Sequence, residues 1–503
     1  TKLALIYAKN AKDKIIQNTN LNDEDILIKE ITTKGDQVRN QRLSEIGGKG
    51  LFSKNIEKFL KKNNGKKVIV VQGLGFVGAV MSLVCANSFE EEYAVIGIDL
   101  PNENTYWKIR SINDGIFPLI ADDPKIDEFF QESIKKGNFF ATYDSLAYKY
   151  ADVVIVDINL DVEKISEDSG VLNDYNVDLT GFKSAILSIG KNCKENVLIL
   201  IETTVPPGTS KIASEIIQGE YSKRGLSLDE VSIGHSYERV MPGPNYIDSI
   251  QNFYRVYSGI NKKSADNIEH FLRTIIKTDN YPLTRLGNTN ATEISKVLEN
   301  SYRAMNISFI VEWSRFAEEA GVNLYEVIEA IKMRPTHNNM MLPGIGVGGY
   351  CLTKDPLLAS WSRQNIIGKA AEGLIMSERA VSTNDKMPTY AFNFLKSFYG
   401  NNFLNHKKVQ LLGVSYLAGV GDTRYTPVET FYNELMSHEC DVYLHDPYVT
   451  YWEELDLEVS QELGNFKNID IVVFSTGHSE YSNNEYLLNS LSKLTNVLIY
   501  DTI

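Results

Sequence analysis

With 503 residues, 43% hydrophobic and 23% charged, the chain is too long for one compact core; its composition is ordinary for a soluble protein of about three or four domains. The formal net charge of −14 argues against nucleic acid as a partner. No apolar run reaches the ~18 residues of a membrane span, and the opening residues do not read as a signal peptide, so no membrane association is expected. Four scattered cysteines (Cys85, Cys193, Cys351 and Cys440) form no CxxC pair. That argues against a zinc site or a disulfide framework and points to a reducing, cytoplasmic compartment, with no metal expected.

In chain order, residues 1–64 differ from the rest: a helical "LALIYAKNAKDKII", an extended "EDILIKEITT", then a lysine-dense stretch ending in the linker-like "KKNNGKK". The elements "LAL", "TKGD" and "IGGKGLF" resemble the start of hydroxymethylbilane synthase (porphobilinogen deaminase). The resemblance includes neither that family's catalytic aspartate region nor its cofactor-carrying cysteine. The segment is therefore expected to be an inert small α/β fragment, removable without loss of activity.

From Lys66 the pattern alternates. The apolar runs "KKVIVVQ", "YAVIGIDL", "ADVVIVDI", "NVLILIETT" and "LDEVSIGHS" are separated by helical stretches, the signature of a parallel sheet covered on both faces. Residues 290–321 keep helical apolar spacing with no proline and predict one long helix, and more helix is expected over Asn323–Lys332 and Pro356–Ser382. A second βαβ series begins near Lys407. The expected fold is α/β: two Rossmann-like doubly wound domains joined by a long-helix central region and preceded by the small fragment. The expected bounds are 1–64, 66–285, 286–400 and 401–503.

Two glycine clusters carry chemistry. In "GLGFVG", Gly73 allows the turn, Gly75 lets a pyrophosphate approach the backbone, and Gly78 lets the helix pack closely. Asp99 ends the next strand, where a carboxylate accepts ribose hydroxyls and repels a 2′-phosphate, so NAD is favoured over NADP. The second domain's "LLGVSY" keeps Gly413 alone and predicts no second dinucleotide site. In "GIGVGGYCLTKDP", glycines at 344, 346, 348 and 349 expose Cys351. Lys354 is placed to favour its thiolate, and Asp355 to hold a water or move a proton. A structural cysteine in a loop is the competing reading of this stretch alone.

Residues 66–503 resemble the UDP-glucose/GDP-mannose dehydrogenase family in "GLGFVG", "ETTVPPGT" (202–209), "YERVMPG" (237–243), "EISKVLENSYRAMNIS" (293–308), "PGIGVGGYCLTKDP" (343–356) and "GDTRYTPV" (421–428). The resemblance implies an NAD-dependent four-electron oxidation of the C6 hydroxyl of a UDP-sugar to the uronic acid, through a cysteine thiohemiacetal and thioester, supplying polysaccharide precursors. It implies catalytic roles for Cys351 as nucleophile, Lys296 and Asn300 as oxyanion stabilisers, and Asp355 with Glu202 as the water-handling pair. Cofactor contacts fall to Gly73, Gly75, Phe76, Val77, Gly78, Asp99, Lys108 and Thr204. Substrate contacts fall to Arg239, Val240, Arg303, Gly348, Arg424, Arg334 and His337. "ERVMPG" leans toward a UDP-N-acetylhexosamine over UDP-glucose, and a homodimer or larger homo-oligomer is expected. Two departures stand out: Tyr416-Leu417 replaces the family's "FK", removing a lysine near the substrate, and "DINLD" (157–161) replaces a "PTP" turn and its threonine. Two other readings stay open, a UDP-glucose 6-dehydrogenase and a catalytically inactive nucleotide-sugar-binding fusion.

Overall fold

The computed structural model describes residues 49–503 except 103–104, 120–122, 167–171, 228, 241–242, 401–403, 465, 467 and 495, and without the side chains of 49–54 and 166. The elements expected before residue 49, and the "MP" of "YERVMPG", lie outside the described residues. The chain forms two compact units, one of residues up to 160 with 178–296, the other of 161–177 with 297–503.

The first unit is built on an eight-stranded sheet. Its order is Thr284–Arg285, Val256–Gly259, Ser232–His235, Leu198–Ile201, Val153–Val156, Lys67–Gln72, Tyr93–Ile98, Phe139–Thr142. "VVIV" and "LILI" are buried along their whole length, because helices such as Phe76–Ala86 and Lys262–Ile275 pack against the sheet. The five strands expected from the sequence run parallel, and one edge adds strands that were not foreseen. Val256–Gly259 runs antiparallel to Ser232–His235; among the described residues the link between them carries only the four-residue helix Asp248–Gln251 and no full crossover helix. Lys67–Gln72 is flanked by Tyr93–Ile98 on one side and Val153–Val156 on the other. The winding reverses there, and a crevice opens at the strands' carboxyl ends.

The helix Lys49–Lys62 belongs to this unit. Ile56 and Phe59 are buried, Phe59 stacks on Phe140 with ring centroids 5.5 Å apart, and the Asn63 side chain donates to Gly137 O at 2.9 Å. The expected boundary at residue 64 thus cuts through a packed contact.

The second unit holds a four-stranded parallel sheet, Asp441–His445, Lys408–Leu412, Ile471–Phe474, Leu498–Asp501. The expected long helix is Thr289–Glu319. The helix expected over Pro356–Ser382 is two, Asp355–Asn365 and Ile375–Asp385. The break carries Lys369 at φ 46° and Gly373, where a Cβ would meet Ser360 Oγ at 2.0 Å. Also not foreseen is an antiparallel hairpin of Val162–Ser166 and Leu172–Val177. It is fastened to the helices by Lys164–Asp385 (2.8 Å) and by the Tyr175 hydroxyl donating to Glu378.

Candidate active site

At the first unit's winding reversal the chain turns at Gly73, φ 101°, where a Cβ would lie 2.0 Å from Asp157 O. The helix Phe76–Ala86 follows with Gly75 as its cap. A Cβ at Gly75 meets nothing within 4 Å, whereas one at Gly78 would lie 2.0 Å from Gly73 O. Gly78 is thus needed for packing, and Gly75 leaves room for a ligand over the helix start. Phe76 and Val77 are partly buried here, and the Tyr246 hydroxyl donates to Phe76 O at 2.6 Å. Asp99 is buried and accepts from the N–H groups of Leu74 (3.0 Å) and Leu100 (2.8 Å). Burial raises its pKa and the charge of Lys108 opposes the rise. The carboxylate therefore braces the glycine loop, and its remaining acceptor capacity can serve a ribose hydroxyl. Open space over Gly75 at the helix start, with a carboxylate one strand away, fits the pyrophosphate and ribose of NAD.

Further along the same strand ends, Glu202 is buried and ion-paired with buried Arg255. Burial pulls the Arg255 pKa down to about 10. Thr204 lies two residues on, partly buried. Lys296 is buried, its ammonium donating to Glu238 O at 2.9 Å and lying 3.7 Å from Glu238 Oε1. The ring of buried Tyr237 has the Lys296 ammonium 5.5 Å and the Arg239 guanidinium 5.4 Å from its centroid. Arg239 also donates to Tyr254 O at 3.1 Å. Val240 packs on the core of this unit.

In the second unit Cys351 is exposed, on the turn that leads into the helix Asp355–Asn365. Its carbonyl accepts from Asp355 N at 2.9 Å. Absent side chains at Gly348 and Gly349 let Tyr416 press on the loop; Cβ atoms there would lie 2.5 Å from Tyr416 Cβ and 2.6 Å from its ring. Asp355 is fully buried, accepting from Lys354 Nζ (2.9 Å) and from the Asn300 amide (2.6 Å). The cation expected to act on the thiol is thus bonded to Asp355, and its ammonium also lies 4.4 Å over the Tyr350 ring. Burial, then Asp161, raises the pKa of the Tyr350 hydroxyl. Arg424 pairs with Asp422 at 2.6 Å, and its carbonyl accepts from Gly349 N at 3.2 Å. Arg303, Arg334 and His337 are exposed.

The expected residues are therefore divided: Glu202, Lys296, Arg239, Val240 and the cofactor set lie in the first unit, and Asn300, Arg303, Arg334, His337, Gly348, Cys351, Asp355 and Arg424 in the second. Sequence reasoning missed Arg255, Glu238, Tyr237 and Tyr350. Only Glu238, Tyr237 and Tyr350 had a local signal, each adjoining or falling within a motif already singled out. Among the described residues no three His, Cys, Asp or Glu side chains form a metal-holding group, and no helix is long and apolar enough to cross a membrane.

A Rossmann sheet with its glycine loop, space over the helix start and a carboxylate ending the neighbouring strand defines an NAD-dependent oxidoreductase. Models of three domains of one family match in order: the UDP-glucose/GDP-mannose dehydrogenase family NAD binding domain over residues 67–276, central domain over 290–384 and UDP binding domain over 410–503. The chain belongs to the UDP-glucose/GDP-mannose dehydrogenase family, the NAD-dependent nucleotide-sugar dehydrogenases. A UDP-N-acetyl-D-mannosamine dehydrogenase of Pyrococcus horikoshii is 30% identical over 421 residues, 82% of this chain and 90% of that protein. One from Methanococcus aeolicus is 29% identical over 428 residues, 85% and 88% of the two chains. Among solved structures, UDP-D-ManNAc dehydrogenase from Pyrococcus horikoshii matches with TM-score 0.70 at 27% identity, covering 86% of this chain and 95% of that one. NDP-N-acetyl-D-galactosaminuronic acid dehydrogenase from Methanosarcina mazei Go1 matches with TM-score 0.69 at 25% identity, covering 88% and 92%. The segment 1–73 matches the porphobilinogen deaminase dipyromethane cofactor binding domain, in line with the resemblance read from residues 1–64.

Proposed function

We propose that the chain oxidises the C6 hydroxyl of a UDP-N-acetylhexosamine, of the N-acetylmannosamine type, to the uronic acid in two two-electron steps. The observation that carries this reading is the exposed Cys351 on a glycine turn directly before the buried Lys354–Asp355–Asn300 cluster. NAD, which Gly73–Gly78 and Asp99 would hold, supplies the hydride acceptor, a fresh NAD+ for each of the two steps. The Cys351 thiolate adds to the carbon of the C6 aldehyde, forming a thiohemiacetal; its oxidation leaves a thioester, and water attacks that carbonyl to release the carboxylate and the thiol. Lys296 and the Asn300 amide stabilise the oxygen that gains negative charge. Asp355, held in place by Lys354 and Asn300, and Glu202, held by Arg255, handle the water and its proton. Arg424 and Arg239 offer guanidinium groups to the substrate's phosphates and sugar, joined by Val240, Arg303, Gly348, Arg334 and His337.

The relatives named as UDP-N-acetyl-D-mannosamine dehydrogenases support the choice of sugar. The domain division 66–285, 286–400 and 401–503 goes with this reading: cofactor, cysteine loop, UDP-sugar. So does a homodimer or larger homo-oligomer, because the long helix exposes Leu298, Tyr302, Phe309, Trp313 and Phe316, each 46–61% accessible. The test is NADH formation with a panel of UDP-sugars. UDP-N-acetylmannosamine is expected to be preferred over UDP-glucose, with two NADH per sugar; no turnover on any sugar overturns the proposal.

A further inference from the structure

Asp157 is a carboxyl that the family reading leaves without a task. It follows the strand Val153–Val156, on the side of Lys67–Gln72 where the winding reverses, and its N–H donates to Gln72 O at 2.8 Å. Its backbone oxygen lies under Gly73 and its Oδ2 is 3.1 Å from where a Cβ of Gly78 would stand. The carboxyl is thus wedged into the floor of the dinucleotide loop. Asp157 Oδ2 is shut off from solvent and has no hydrogen-bond partner. Burial, then the charge of Glu238, pushes the Asp157 pKa up to about 8, against the pull of Arg255. The other charges at these strand ends are engaged elsewhere: Arg255 with Glu202, Lys296 with Glu238, and Asp99 with the Leu74 and Leu100 amides.

We propose that Asp157 discriminates between the two redox states of the cofactor, its carboxylate favouring oxidised over reduced nicotinamide in the crevice beside the glycine loop. NAD+ and NADH share their pyrophosphate and riboses, so any repulsion of the phosphates by Asp157 is common to both. They differ by the positive charge of the nicotinamide, which a nearby carboxylate attracts and a neutral carboxyl ignores. The ratio of the NADH to the NAD+ dissociation constant therefore rises as Asp157 ionises, and the enzyme releases reduced cofactor more readily than oxidised.

The experiment is a fluorescence titration of the full chain, without sugar, with NADH directly and with NAD+ by competition, at about pH 6.5, 8 and 9.5. At an effective dielectric near 20 a unit charge pair keeps an effect of about tenfold out to roughly 12 Å, so a rise of about tenfold in the ratio is expected across this range. In Asp157→Asn the ratio should stay at its low-pH value throughout. A wild-type ratio that does not move with pH overturns the inference, and this arm needs no variant to fold. An equal rise in Asp157→Asn also overturns it. Failure of the wild type to bind either dinucleotide would overturn the cofactor assignment itself, which separates the two failures.

Discussion

Replacing Phe59 by alanine asks whether the helix Lys49–Lys62 is part of the dehydrogenase or an appendage of the porphobilinogen-deaminase-like segment. Phe59 is 9% exposed and stacks on Phe140, on the sheet's end strand, and fully buried Ile56 lies one turn before it. Truncating a buried phenylalanine costs about 3–5 kcal/mol, and a site at the sheet's edge belongs at the lower end. For a unit of this size 1 kcal/mol moves Tm by about 2–4 °C, so Phe59→Ala should lower the first unit's transition by about 6–12 °C. Differential scanning calorimetry of the full chain reads this directly. Removing residues 1–48 should leave both that transition and the dehydrogenase rate at wild-type values, whereas removing 1–64 should destabilise the unit more than Phe59→Ala. A Tm for Phe59→Ala within about 1 °C of wild type, against the several degrees expected, would refute the reasoning.

Four other outcomes are expected. Cys351→Ser should lower NADH production by roughly 10³-fold or more, the scale of losing a nucleophile, with NAD affinity unchanged; an unaffected rate removes Cys351 from the mechanism. Gly75→Val has room for its side chain, with backbone at φ −77°, ψ −165°. It should fold normally yet bind NAD about tenfold more weakly or worse, a loss of 1.4 kcal/mol, whereas Gly78→Ala should lose stability against Gly73 O. Asp355→Asn leaves the Lys354 ammonium, 5% exposed, without its counter-ion and should cost about 3–5 kcal/mol in urea unfolding, partly recovered by adding Lys354→Met. Burial holds His235 down at about 3, from 6.5. The unfolded chain therefore takes up a proton below pH 6.5 that the folded one refuses, and stability falls on acidification by up to about 1.4 kcal/mol per pH unit. Urea midpoints at several pH values should show a shallower fall in His235→Gln; an equal fall would rule the histidine out.

Legibility followed the range of the interaction. The strands "VVIV" and "LILI" and the glycine loop announce themselves because burial on two faces and a tight turn impose local residue types. The same holds for Cys351, whose surrounding glycines were visible and which proved exposed. The hairpin of 162–177 was not visible, since "VEKIS" and "LNDYNV" are polar and what holds them is Asp385 and Glu378, far along the chain. Glu202 was read from its motif, but its partner Arg255 is brought to it only by sheet order. Lys354 was read as acting on the thiol beside it, yet its nearest carboxylate is the next residue along, bound in turn by Asn300 from the long helix.

The hairpin has a consequence for how the protein is made. Tyr175 precedes its acceptor Glu378 by 203 residues. At a ribosomal rate of about 5–20 residues per second, roughly 10–40 s pass between the emergence of one and the other. For that interval two exposed strand edges wait on the nascent chain for a docking surface that does not yet exist, so this is the stretch where a chaperone, or a neighbouring nascent chain, has its best opportunity.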